Sequence, residues 1–268
     1  MGYALCAAGC GPNARYIILA PPTQKQSKIN EQTIRVKSPQ PKLVVGEKLT
    51  YSVFWTGISV GTATLHIKEI TKINDRDTYH IIGRLVSNNF LSKIYKFDDK
   101  METYLDTQDL VPIKFEKNVS EGPKYRKHQI IEFDHVNNVA KEINPKDNSV
   151  KTVGIAKNAQ DSLSVGYFFR LQNGLKTGDA LNIQVNEGEK NWDLEIKVLG
   201  VQNIEVGKLG KFDAFCVEPK AAHKGKKLGK GKIWVWFSCD ERRLPLVAKI
   251  QALVGSIGLC LEKIETVQ

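Results

Sequence analysis

The stretch Gly229–Ile264, GKGKIWVWFSCDERRLPLVAKIQALVGSIGLCLEKI, decides the fold. Two apolar runs flank a charged tight connection. Lys232 to Ser238 and Leu246 to Ala252 read as neighbouring antiparallel strands that turn at Cys239 to Arg243, and Leu253 to Ile264 reads as a third strand. The first run is rich in β-branched and aromatic residues, which suit a pleated, buried surface. Side chains alternate along a strand, so Ile233, Val235 and Phe237 share one face and Trp234 and Trp236 the other. Both faces are apolar. Such a strand lies in a sheet covered on both sides, or in a curled sheet with a filled inside.

The same grammar extends upstream. Glu47 to Trp55 alternates, with Leu49, Tyr51, Val53 and Trp55 on one face, and Val60 to Ile70 returns from it as a hairpin. Thr78 to Val86, Lys96 to Leu105, Val111 to Val119 and Arg126 to His135 continue the pattern, followed by short polar strands at Val139 to Ile143 and Ser149 to Val153. Asn182 to Val185 pairs with Trp192 to Gly200, and Phe212 to Glu218 precedes the stretch quoted first. One segment breaks the alternation. In Gln160 to Leu171, QDSLSVGYFFRL, Asp161 or Ser162 caps a helix in which Leu163, Tyr167 and Leu171 repeat at helical spacing. The expected fold is mainly β: a large curled antiparallel sheet or partly open β-barrel of about twelve strands, with one substantial helix packed on the sheet or plugging its mouth.

Composition is that of a globular protein. The chain has 268 residues, 41% hydrophobic and 25% charged, enough to bury a sizeable core. Lys and Arg exceed Asp and Glu by 39 to 29, a net charge of +10 that permits contact with anionic lipid, polysaccharide or nucleic acid. No run of about 18 apolar residues is present to form a membrane-spanning helix. Cysteine usage is uneven. Cys6 and Cys10 stand near the start and Cys216, Cys239 and Cys260 in the last third, with no CxxC. Buried free thiols and a disulfide among the late three are both open on the sequence.

The beginning of the chain is more specific. Ala7-Ala8-Gly9-Cys10 resembles the lipobox of bacterial lipoproteins, where small side chains fit the signal peptidase and the cysteine then carries a diacylglycerol. Cys10 is therefore the expected lipid anchor. Nine residues precede it, without the basic n-region and roughly 7–15 apolar residues of a signal peptide, so the expected leader starts further upstream. Pro21 to Lys42 is rich in Pro, Gln, Lys, Ser and Thr and reads as a flexible tether. The domain plan is residues 1–20 as a lipobox-bearing remnant, 21–42 as tether and 43–268 as a single antiparallel β domain.

Several scattered motifs carry a family resemblance. Gly46-Glu47-Lys48-Leu49-Thr50-Tyr51, then Gly57-Ile58 and Val60-Gly61, resemble the opening of an exported bacterial family, domain of unknown function 3108. Asp161-Ser162-Leu163 with Tyr167 and Arg170 resembles its central helix. Gly207 to Phe212, Trp236, Asp240, Arg242-Arg243-Leu244-Pro245 and Val254-Gly255-Ser256 resemble its closing strands. The resemblance runs from about Gly46 to Ile264. It implies an envelope location, often with a lipoprotein or secretory signal, and a mainly antiparallel β fold. It implies no reaction.

Chemistry-bearing residues are dispersed. The run His223 to Lys232 holds Lys224, Lys226, Lys227 and Lys230 among glycines but no GxxxxGK[ST]. It is a solvated loop or an electrostatic contact to anionic head groups. Nucleic acid is not expected, because no aromatic-interleaved motif accompanies the lysines. Asp240, Arg242 and Arg243 either fork onto a polar ligand or stabilise their own turn. Of the five histidines, His66, His80, His128, His135 and His223, no two are spaced to share a metal. No GxSxG or HExxH occurs, so no catalytic residue, metal or cofactor is assigned. Asp161, Tyr167 and Arg170 line a site at the helix or cap and pack it.

The leading functional reading is a non-enzymatic, lipid-anchored periplasmic protein whose curved sheet binds or hands on an amphiphile, a lipid or a glycan. A structural partner docking on another envelope protein is the second reading. A hydrolase with a dispersed Asp–His–Ser cluster is the third.

Overall fold

A computed structural model describes residues 19–22, 43–227, 231–251 and 255–267. Cys6, Cys10, Lys230 and most of the expected tether, residues 23–42, lie outside these, as does the side chain of Lys227. The first arm of the chain is a run of hairpins: β1 (Glu47–Trp55), β2 (Ile58–Ile73), β3 (Arg76–Ser87), β4 (Asp98–Asp106), β5 (Pro112–Glu121), β6 (Tyr125–Asp134), β7 (Val139–Ile143) and β8 (Val150–Gly154). One helix follows, α1 (Ser164–Arg170). The second arm is β9 (Ala180–Asn186), β10 (Asn191–Glu205), β11 (Lys211–His223), the two-residue β12 (Lys226–Lys227), β13 (Lys232–Ser238), β14 (Pro245–Gln251) and β15 (Ser256–Thr266). Among the described residues there are fifteen strands where about twelve are expected, and strands such as β2 and β10 run longer than their alternation suggests.

All strands belong to one antiparallel sheet, in the order β8-β7-β6-β5-β4-β3-β2-β1-β15-β14-β13-β11-β10-β9, with β12 attached to β11. The first arm meanders away from β1, and the second returns to it from the far side. Tight turns make this possible: Thr56 and Gly57 both take positive φ, 47° and 91°, the conformation a two-residue hairpin needs.

The sheet's ladder is open between β8 and β9, and side chains and a crossing segment stitch the gap. Asn191 donates to the Gly154 carbonyl at 2.6 Å, and Lys151 pairs with Glu189 at 2.7 Å. Gln160 bridges to β9 through Gln160 N–H to Gln184 O and Asn186 N–H to Gln160 O, each 2.8 Å.

α1 sits against the inward face and joins the two arms. Tyr167 packs with Ile67, Ile81 and Leu105 of the first arm, while Phe169 packs with Ile183, Val198, Phe215 and Phe237 of the second. The helix has seven residues, shorter than the segment Gln160 to Leu171 read from its spacing. Asp161 spends its carboxylate ahead of it. Oδ1 accepts the N–H groups of Leu163 and Ser164, both at 2.7 Å, and Oδ2 accepts the Thr103 hydroxyl at 2.6 Å, so the first residues form a capped turn rather than helix.

The alternation of β13 is as read. Phe237 and Val235 belong with the cluster around Phe169, and Trp234 and Trp236 face the other way into a second cluster with Ala214, Cys216, Val247 and Cys260. That outer cluster is covered by Ile204, Val206, Leu209 and Leu19. Leu19 and Ala20 are held there by Lys249, which donates to the Leu19 carbonyl at 3.3 Å, and by Gln202, which donates to the Ala20 carbonyl at 3.2 Å. Cys216, Cys239 and Cys260 are free, which decides between the two readings of the late cysteines.

Candidate functional site

Cross-strand partners share a face, so register shows what each surface carries. On the inward face, Val235, Ala248, Leu259 and Val53 stand in one row across β13, β14, β15 and β1. The next row is Ile233, Ile250, Ile257, Trp55 and Ile58, reaching β2. Phe215 and Phe237, further along this face, are covered by Phe169 at ring distances of 6.1 and 5.0 Å. In the first row Val235 packs on the Phe169 cluster, Leu259 packs on the Trp236 cluster and Val53 is buried, so only the second row lies beyond that cover. Ile233, Val235, Ala248, Ile250 and Leu259 are half-buried, while Ile257, Trp55 and Ile58 are exposed. Ile233, Ile250 and Ile257 join none of the buried clusters. On the opposite face of the same strand, Trp234 and Trp236 are fully covered. The inward face therefore presents an apolar ladder whose outermost row, from Ile233 to Ile58, is open at one end of the sheet. Its chemistry suits an alkyl chain, which gains about 0.8 kcal/mol for each methylene it buries.

A second surface lies on the reverse of the first arm. Lys48, Thr64, His66, Arg84, Lys100, Asn118, Arg126, Lys127, His128 and Lys146 line an open groove of about 740 Å³, with Asp98 its one acidic lining residue. Register explains the gathering: Thr64, Arg84, Lys100, Asn118 and His128 are successive partners across β2 to β6. Arg84 is neutralised by a two-pronged bond to Asp98, at 3.0 and 2.9 Å, and that bond holds the Asp98 carboxyl below its usual range. Lys100 pairs with Glu102 and His128 with Glu116. Lys127 and Lys146 are exposed and make no ion pair among the described residues. His66 Nε2 is buried without a partner, and burial, followed by Lys48 and Lys68, lowers its pKa. The individual cations are unremarkable in sequence, and only the strand pairing assembles them.

The residues singled out in the sequence fall at opposite ends of the sheet. Lys224 and Lys226 are exposed at the end where β11 finishes and β13 begins. Asp240, Arg242 and Arg243 lie at the other end, in the turn from β13 to β14. Asp240 Oδ1 accepts from the Ser238 hydroxyl at 2.6 Å and from the N–H groups of Arg242 and Arg243 at 3.2 Å, so it organises its own turn. Arg243 is buried with its guanidinium 5.9 Å from the Phe215 ring centre, and Nη1 has no partner. Arg242 serves through its carbonyl, which accepts from Arg170. Tyr167 is buried with its hydroxyl unpartnered, and burial pushes its pKa far up. Arg170 stacks its guanidinium 5.3 Å from the Tyr167 ring and engages Glu47. Asp161, Tyr167 and Arg170 thus hold the helix in place.

The histidines stay apart. His80 lies between Glu69 and Glu102 and stacks on Tyr104, His135 meets the Pro112 carbonyl, and His223 meets that of Asn191. Among the described residues no histidine is hydrogen-bonded to a serine, threonine or cysteine, and no cluster of His, Cys, Asp and Glu could hold a metal ion. No described helix is long and apolar enough to cross a membrane.

The family model described as protein of unknown function DUF3108 matches residues 50–262, almost the whole sheet. The chain belongs to the DUF3108 family. No curated protein matches it. The DUF3108 fold resembles the crystal structure of a β-barrel-like protein of domain of unknown function DUF1849 from Brucella abortus. That likeness has 11% identity and a TM-score of 0.56, covering 84% of this chain and 98% of that one. A crystal structure from Bacteroides fragilis, described as a candidate exported protein with a YmcC-like fold, aligns at 9% identity and a TM-score of 0.31. It covers 83% of this chain and 96% of that one. A candidate lipoprotein from Parabacteroides distasonis aligns at 9% identity and a TM-score of 0.34, over 85% of this chain and 97% of that one. The first likeness is one of fold alone.

Proposed function

We propose that this DUF3108 protein is a non-enzymatic component of the bacterial cell envelope that holds the alkyl chain of an amphiphile against the ladder of β13, β14, β15 and β1. The observation that carries this is the apolar row Ile233, Ile250, Ile257, Trp55 and Ile58, left outside the buried clusters although the reverse face of β13 is covered. Contiguous exposed apolar surface of this kind marks an interaction or ligand site. The lipobox-like Ala7-Ala8-Gly9-Cys10 supports a periplasmic location with Cys10 as the anchor. The hydrogen-bond partners of the described histidines are carboxylates and backbone carbonyls, which supports binding over a serine- or cysteine-type hydrolysis.

The test is titration with a fluorescent fatty acid such as dansyl-undecanoate, below its micellar concentration. Ile250→Glu is expected to weaken binding at least tenfold while the far-ultraviolet circular dichroism stays unchanged. Binding unaffected by that charge, or no binding by the parent chain, overturns the proposal.

A further inference from the structure

The strand ends place an unusual set of side chains together. β1 finishes at Trp55, β2 starts at Ile58, β3 finishes at Ser87, β6 starts at Tyr125, and β11 and β14 finish at His223 and Gln251, all at one end of an antiparallel sheet. The β3–β4 connection is pinned to this end. The Asn88 amide side chain donates to the Ser59 carbonyl at 2.7 Å, and Gly122 N–H donates to the Lys96 carbonyl at 2.7 Å, beside the β5–β6 turn. Large apolar and aromatic side chains stand in water here: Ile94 is 76% exposed, Phe90 64%, Ile58 56%, Tyr125 55%, Trp55 50% and Tyr95 45%. Single exposed hydrophobics are ordinary, but six on one rim are not.

Charge decides what the rim meets. Exposed Lys93 and Lys96 flank Ile94 and Tyr95, and Lys124 and Arg126 flank Tyr125. Lys224, Lys226 and Lys232 are exposed at the same end of the second arm. Trp and Tyr rings favour the level of lipid head groups, Phe and Ile go deeper, and lysines at their side are drawn to anionic lipid. A protein partner with an apolar groove would match the side chains but not the basic fringe around them. We infer that this rim docks on the surface of an anionic phospholipid bilayer. It deepens the proposed function, because the open end of the apolar ladder, at Trp55 and Ile257, then faces the membrane from which an amphiphile would enter.

The experiment uses the full chain carrying Cys10→Ser, so that no attached lipid contributes. It is sedimented with vesicles of phosphatidylcholine alone and with vesicles containing a third phosphatidylglycerol. The expected result is binding to the anionic vesicles at least tenfold tighter than to the neutral ones, weakening as salt rises. The double variant Phe90→Ser with Ile94→Ser lies off the ladder and in exposed positions. It should lower vesicle affinity at least tenfold while keeping dansyl-undecanoate binding. Lys224→Glu with Lys226→Glu should lower vesicle affinity and flatten its salt dependence. Vesicle binding equal in these variants and the parent, or none by the parent at low salt, overturns the inference. Loss of fatty-acid binding with vesicle binding intact would sink the proposed function and leave the rim standing.

Discussion

Arg170 holds Glu47 in a two-pronged ion pair inside the fold, Nη1 to Oε1 at 2.8 Å and Nη2 to Oε2 at 3.0 Å, with both side chains more than nine-tenths out of water. The same guanidinium donates to the Arg242 carbonyl, at 3.3 Å from Nε and 3.0 Å from Nη2. One side chain of α1 thereby ties the first strand to the turn between β13 and β14. Tyr51 repeats the tie from β1, its hydroxyl donating to the Pro245 carbonyl at 2.8 Å.

Cutting this tie on one side leaves a buried charge without its partner. Arg170→Met should destabilise the fold by about 3–5 kcal/mol, read from the urea unfolding midpoint. Adding Glu47→Leu to it should recover most of the loss, since the orphaned carboxylate, rather than the missing attraction, is the larger cost. A single variant indistinguishable from the parent would show that the pair is solvated.

Acid should weaken the protein through a particular histidine. Burial lowers the pKa of His135, the Pro112 carbonyl bond opposes that in part, and Arg76 lowers it further while Asp134 and Asp109 raise it. A histidine depressed in the folded state contributes stability that is present above its unfolded value of about 6.5 and is lost as pH falls through the folded value. The difference in stability between the parent and His135→Gln should therefore shrink as pH drops below about 6.5. A difference constant from pH 7 to pH 5 contradicts this.

Gln202 links the outer cluster to the docked Leu19–Ala20 segment. Its Oε1 accepts the Trp236 indole N–H at 2.7 Å while its Nε2 donates to the Ala20 carbonyl. Gln202→Met leaves the indole unpaired and should cost about 1–3 kcal/mol. Deleting residues 1–22 removes the Leu19 cover but not the indole's acceptor, so it should cost less and change the tryptophan emission. Equal losses would place the stabilisation in the segment itself.

The three late thiols should be inert while the protein is folded. Burial pushes Cys239 up to about 11, Cys260 up to about 12 and Cys216 higher still. At pH 8 about one Cys239 in a thousand is thiolate, too few for rapid attack. With Cys6 and Cys10 replaced by serine, Ellman's reagent should report three thiols only after urea is added. A thiol that reacts at once in the native state would mean that its strand opens locally.

Much of this architecture is legible in the alternation of apolar residues. Ile233 to Ser238 announces a strand with two greasy faces, and both are covered where the clusters around Phe169 and Trp236 lie. Less legible is whatever depends on which strand neighbours which. The basic groove draws Arg84, Lys100 and His128 from separate strands, and only β-pairing brings them into one row. Glu47 reads as a strand-end charge, and nothing local shows that Arg170 waits for it. The helix length is misjudged because Asp161 draws the first N–H groups to itself, a competition that spacing does not show. The exposed Phe90 and Ile94 fall in a connection that apolar periodicity cannot assign.

β1 is the middle of the sheet, flanked by β2 from the start of the domain and by β15 from its very end. Until the last strand has emerged, one long side of β1 has unpaired amides and carbonyls, with the first arm already able to assemble beside it. That side is a ready template for another chain's strand, so newly made protein is most prone to aggregate before β15 has emerged. Refolding should be slow for the same reason, since the contact that seals the sheet joins the two most distant segments of the domain.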